Sequence, residues 1–80
     1  MIEVLLFGAA ADRAGTRKVR LAVEGPTTLA EVWPLLADMH PDLSSMRDTL
    51  AFAVNGEYAK MDEAVGPGDE VAVLPPVSGG

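Results

Sequence analysis

The residues best placed to do chemistry close the sequence, where Pro75-Pro76-Val77-Ser78 leads into Gly79-Gly80. Glycine carries no Cβ, so two in succession leave a thin strand of backbone able to enter a narrow channel. What they offer is a terminal carboxylate that another protein can reach. Pro75 and Pro76 fix two φ angles and favour an extended exit from whatever precedes them. At about 3.3 Å per residue, the arm projects on the order of 20 Å. The division expected is a folded domain over 1–75 and a flexible Gly-Gly tail over 76–80. Taken alone, Gly-Gly is better explained as a frayed terminus, so the rest of the chain has to decide.

Other chemistries are poorly supplied. The 80 residues contain no cysteine, which removes disulfides, thiolate metal ligands and a cysteine nucleophile together. His40 is the single histidine and reads as an exposed helix-end residue; no metal site is expected. Neither paired catalytic residues nor a nucleotide-binding loop can be assembled, so an enzyme acting on its own is not expected. The formal net charge of −6 gives no basic footprint for nucleic acid and suits docking onto basic partners. No apolar run approaches the ~20 residues of a membrane span, and no cleavable signal opens the chain. The expected setting is the cytoplasm.

Strands and a helix must position that carboxylate. Ile2–Phe7 alternates as a strand, with Ile2, Val4 and Leu6 on one face and Glu3, Leu5 and Phe7 on the other. The glycine-bounded segment 8–15 reads as a loop or one short helical turn. Val19, Leu21 and Val23 alternate with polar neighbours as a second strand, ended by Gly25-Pro26. Thr28 and Glu31 have capping-box spacing, and Leu29, Val32, Trp33 and Leu36 follow as one helical stripe. Trp33 is the expected largest core contributor. Pro34 predicts a kink or an early end, because it cannot donate to the Ala30 carbonyl. A connection over 42–50, with a helical turn near its end, leads to a third strand around Phe52 and Val54. Asn55-Gly56 predicts a turn and a short return through Glu57-Tyr58-Ala59. A second turn at Gly66-Pro67-Gly68-Asp69 precedes the last strand, Glu70–Leu74.

That order predicts an α+β, β-grasp (ubiquitin-like) domain: a mixed sheet of four to five strands with one main helix across one face. A ferredoxin-like layout is the alternative. The predicted core is Val4, Leu6, Val19, Leu21, Leu29, Val32, Trp33, Leu36, Phe52, Val54, Val71 and Val73. By parity the opposite face carries Leu5 and Phe7 from the first strand and Leu74 from the last, with Tyr58 nearby. Phe7 and Leu74 are expected to be exposed side by side. An apolar cluster next to a projecting tail suggests a docking site.

The opening strand, Val54-Asn55 and above all the ending GDEVA…PPVSGG closely resemble the molybdopterin synthase small-subunit family, ubiquitin-like sulfur carriers related to the thiamine-pathway carrier. The resemblance implies that an E1-like adenylyltransferase, using ATP, adenylates the terminal carboxylate, here that of Gly80. A sulfur donor then converts it to a thiocarboxylate, which gives its sulfur to a pterin precursor of the molybdenum cofactor. Gly79 would be the slender neighbour, and Ser78, Val77, Pro76 and Pro75 the rest of the tail. Phe7, Leu5, Tyr58 and Leu74 would meet the synthase large subunit, in a heterotetramer, and no cofactor would be bound by this chain itself. The alternatives are a ubiquitin-like modifier joined to lysines, or a sulfur carrier for thiamine, tungsten cofactor or amino-acid synthesis.

Overall fold

The computed structural model describes residues 1–75, and the expectations placed on Pro76, Val77, Ser78, Gly79 and Gly80 lie outside them. In chain order the elements are β1 (Ile2–Leu6), α1 (Gly8–Ala14), β2 (Lys18–Leu21), β3 (Thr27–Thr28) and α2 (Leu29–Met39). They continue with a 3-10 segment (Pro41–Thr49), β4 (Ala51–Val54), β5 (Glu57–Ala59), β6 (Ala64–Val65) and β7 (Glu70–Leu74). Five strands form one sheet in the order β2-β1-β7-β4-β5, and β3 pairs with β6 in a small separate ladder. β1 and β7 lie parallel at the centre, with Val4 opposite Val71 and Leu6 opposite Val73. The other ladders are antiparallel. This is the β-grasp arrangement; a ferredoxin-like domain would need a second crossover helix.

One face of the sheet builds the core. Ile2, Val4 and Leu6 from β1, Val19 and Leu21 from β2, Phe52 from β4, and Val71 and Val73 from β7 are all buried. Leu29, Val32 and Leu36 of α2 belong to the same cluster. Two predicted members sit at its margin, since Trp33 and Val54 are only partly buried. Trp33 packs edge-on against Phe52, ring centroids 5.7 Å apart, instead of filling the centre. The centre is closed from another side. Ala10 of α1 and Leu43 of the 3-10 segment are fully buried, and Val65 of β6 nearly so. Sequence reading had placed no core residue in any of these three segments.

Local structure departs from expectation at five further points. Residues 8–14 form a helix, ended by Gly15 in the left-handed region at φ 74°, with its N–H on the Ala11 carbonyl. β2 stops at Leu21, so Val23 packs against the core from outside the strand. Thr28 makes no side-chain cap. The first N–H groups of α2 are taken by a neighbouring loop instead, Leu29 donating to the Glu63 carbonyl at 3.1 Å and Ala30 to Met61 at 2.8 Å. Glu31 accepts from the Thr27 hydroxyl. Pro34 does not end α2, which runs on to Met39. Both Pro34 and Ala30 are exposed, so the break in the helical ladder falls on the solvent side of α2, where a lost bond costs least. His40 closes the helix as expected, but half-buried, with its N–H on the Leu36 carbonyl.

Among the described residues, no helix is long and apolar enough to cross a membrane.

Candidate functional site

The face of the sheet turned away from α2 can be read row by row from the ladders. Lys18 pairs with Leu5, Leu5 with Ala72, Ala72 with Ala53, and Ala53 with Tyr58. These five side chains therefore cross the whole sheet in one line. One step toward the end of β7, Leu74 lies opposite Ala51. The β1–β7 register, carried on by one residue, puts Phe7 beside Leu74. The result is a continuous apolar strip.

Its members are unequally accessible. Phe7 is 45% exposed and Tyr58 74%. Leu5 and Leu74 are half-buried, so the expectation of an exposed Leu74 is corrected. β7 is the central strand, and neighbours on both sides shield a side chain there. The structure thus places Leu5, Phe7 and Leu74, read from parity, together on this face, with Tyr58 on the same face at the β5 edge; Phe7 and Tyr58 protrude.

At the other end of this face the charges gather. Glu3 stands opposite Glu70 and beside Arg20 in the registers. Lys18 Nζ and Arg20 Nε lie 3.5 and 3.9 Å from its carboxylate, loose and largely exposed pairs that contribute little to stability. Nearby, Asp69 ties two turns together. One of its carboxylate oxygens accepts from Asn55 Nδ2 at 3.0 Å and the other from the Gly66 N–H at 2.8 Å. Asn55 Oδ1 in turn accepts from the Glu70 N–H. The Asn55 hydrogen bond, then that of Gly66, hold the Asp69 carboxyl below the usual carboxylate range.

The root of the tail adjoins the apolar strip. The Phe7 N–H donates to the Val73 carbonyl at 3.1 Å, and the Phe7 carbonyl accepts from Ala10 at 3.1 Å as α1 begins. Gly8 follows at φ +55°, and a Cβ placed on it would stand 3.1 Å from Cγ of Pro75. Beside this contact is a groove of about 450 Å³ whose lining includes Leu5, Phe7, Gly8, Arg17 and Lys18. Gly8 was missed in the sequence. The signal was the parallel β1–β7 register, which two residues beyond Leu6 and Val73 sets Gly8 against Pro75. It becomes readable only once that pairing is fixed.

Residues 4–80 match the ThiS family. The molybdopterin synthase sulfur carrier subunit of Homo sapiens is 35% identical, over 99% of this chain and 93% of its own. Small archaeal modifier protein 1 of Haloferax volcanii is 39% identical, over 99% of this chain and 100% of its own. A crystal structure of that archaeal protein superposes with a TM-score of 0.88 at 39% identity, covering 99% of this chain and 98% of the other.

Proposed function

The chain belongs to the ThiS family, and on that premise we propose that it is the sulfur-carrier subunit of a molybdopterin synthase. It is a ubiquitin-like carrier that supplies a reacting terminus and leaves catalysis to its partners. The carrying observation is the relationship over nearly the whole length of both chains to molybdopterin synthase sulfur carrier subunits. The β-grasp domain adds a physical reason. Its central strand ends at Leu74, beside the protruding Phe7, so the residues after Pro75 start next to the apolar strip.

In this reading the Gly80 carboxylate attacks the α-phosphorus of ATP within an E1-like partner, and pyrophosphate leaves. A sulfur donor at the oxidation level of sulfide displaces AMP from the acyl carbon and leaves a thiocarboxylate. No redox change is needed. The thiocarboxylate sulfur is a soft nucleophile near neutral pH. It attacks an electrophilic carbon of the pterin precursor, and an oxygen leaving group departs. Water then cleaves the resulting thioester at the acyl carbon, leaving the sulfur on the pterin and returning the carboxylate. Phe7 and Tyr58, with the less exposed Leu5 and Leu74 on the same face, dock the large subunit. ATP belongs to the activating partner, and the domain contributes placement.

The test is a reconstituted reaction of this chain with the activator, ATP and sulfide, followed by intact mass. Exchange of oxygen for sulfur adds about 16 Da to the terminus. A chain lacking Gly80 should show no gain while remaining folded, because one residue moves the carbonyl by about 3.3 Å, well outside catalytic tolerance. A gain in the shortened chain would overturn the carrier mechanism.

A second reading is supported by the 39% identical archaeal relative, which is named a modifier protein. Activation would be common to both. An isopeptide bond between Gly80 and a substrate lysine, found by mass spectrometry of cell extracts, would favour the modifier.

A further inference from the structure

We propose that Gly8 is a positioning residue for the C-terminal arm: the missing side chain at the β1–α1 junction is the seat on which the Pro75 ring rests. The inference depends on the proposed activation of the terminus, though not on what later receives the acyl group.

A glycine at positive φ usually needs no explanation beyond the turn it makes. Gly15, Gly56 and Gly68 are of that kind, with φ of +74°, +86° and +92° and, among the described residues, nothing within 4 Å of an added Cβ. Gly8 differs. Its φ is +55°, and an added Cβ would meet Cγ, Cβ and Cδ of Pro75 at 3.1, 3.5 and 3.7 Å. All three neighbours belong to one ring, and that ring is the residue from which the arm departs.

The local hydrogen bonding explains why such a contact matters. The Phe7 N–H on the Val73 carbonyl continues the β1–β7 ladder past the end of β1. Pro75 has no N–H, so it cannot donate to β1 and extend that ladder. Packing against the junction must then set the direction in which the chain leaves the sheet. The junction is itself well fixed, since Ala10 and Ala11 donate to the Phe7 carbonyl on one side of Gly8 and the ladder holds Phe7 on the other. A methyl at position 8 displaces the ring by a few tenths of an ångström; a branched side chain displaces it further. Gly80 lies five positions beyond Pro75, so once a partner's channel holds the arm extended, an error in direction at its root shifts the reacting carbon. Misplacement there by about 1 Å can lower a rate on the order of a hundredfold.

The test is exchange of labelled pyrophosphate into ATP by the E1-like activator, with kcat and KM measured for the full-length wild-type chain, Gly8→Ala, Gly8→Val, Pro75→Ala and the double variant Gly8→Val/Pro75→Ala. Gly8→Ala should stay within about 3-fold of wild type, and Gly8→Val should lose roughly 10-fold or more in kcat with KM little changed. Removing the Pro75 ring from the Gly8→Val background should restore kcat to the level of Pro75→Ala alone, a non-additivity expected only if the two residues act through their contact. Gly8→Val turning over like wild type, or a double variant no better than Gly8→Val, would overturn the seat. Absence of exchange with the wild-type chain would overturn the activation reading itself. If circular dichroism shows that Gly8→Val does not fold, Pro75→Ala carries the test: a fall in kcat of about 3-fold at unchanged KM supports the seat, and unchanged kcat overturns it.

Discussion

Single residues here divide into those whose side chains act and those whose lack of one does. Asp69 is of the first kind. It was visible in the sequence only as the end of a Gly-Pro-Gly turn; its tie to Asn55 spans fourteen residues and depends on tertiary placement. Because its folded pKa is lowered by the Asn55 and Gly66 hydrogen bonds, its stabilisation is complete above the unfolded carboxyl pKa of about 3.9 and is lost as pH falls through the lower folded value. Asp69→Asn should therefore melt below wild type at neutral pH, with the gap closing as the pH is taken below about 4. Thermal melts from pH 7 down to pH 2 check this, and a gap that stays constant across them would show that the carboxylate charge is irrelevant. Gly8 is of the second kind. Nothing in its immediate neighbours distinguishes it from the other glycines, because its constraint comes from Pro75, at the far end of the chain.

The elements themselves were legible where periodicity was long. β1, α2, β4 and β7 stand where alternation or the helical stripe placed them, β5 where the Asn55-Gly56 turn did, and β2 ends two residues short of its predicted stretch. What escaped were elements too short to show a period. β3 and β6 have two residues each, and they exist because pairing brings the 61–63 loop over the start of α2. That loop also supplies the partners at the start of α2, its carbonyls taking the Leu29 and Ala30 N–H groups at 3.1 and 2.8 Å. The Glu31 carboxylate that the capping box needs accepts from Thr27 instead. α1 and the 3-10 segment were underestimated for a similar reason. Their buried residues, Ala10 and Leu43, are single contacts and not stripes. Pro34 shows the opposite error, in which a strong local signal is overruled. Packing of Leu29, Val32 and Leu36 carries the helix across it. The penalty should still be present, so Pro34→Ala restores a donor to the Ala30 carbonyl and should stabilise the domain. The interior-helix cost of about 3 kcal/mol is offset in part by the roughly 0.4–1 kcal/mol from the unfolded chain's gain in freedom, leaving a net of roughly 2 kcal/mol. Urea denaturation measures it, and no gain would mean that the helix already accommodates the proline without strain.

At the scale of the whole molecule, the proposed reading gives stability to one face of the sheet and recognition to the other. One face joins α2, α1 and the 3-10 segment in a single core. The other is left with the strip of Leu5, Ala72, Ala53 and Tyr58, flanked by Phe7 and Leu74. Because β1 and β7 are both central, the same pairing that closes the fold brings Phe7 to the root of the tail. If the open face docks the partner, docking and delivery are coupled through one strand pair, and substitutions on that face should affect binding far more than folding. The choice of residue matters. Leu74 is half-buried at the sheet centre, so a charge there would disturb both properties at once. Phe7 and Tyr58 protrude and separate them. Phe7→Glu adds a charge to a partly covered site and should cost about 1 kcal/mol or less in stability, and Tyr58→Ala less again. Each should weaken association with the large subunit by roughly 10-fold or more, the loss typical of an aromatic anchor removed from an interface centre. Titration calorimetry against the large subunit, paired with urea denaturation of each variant alone, gives both numbers. Affinity unchanged in both variants would move the docking site off this face. A loss of affinity matched by an equal loss of stability would mean that the strip serves the fold rather than the partner.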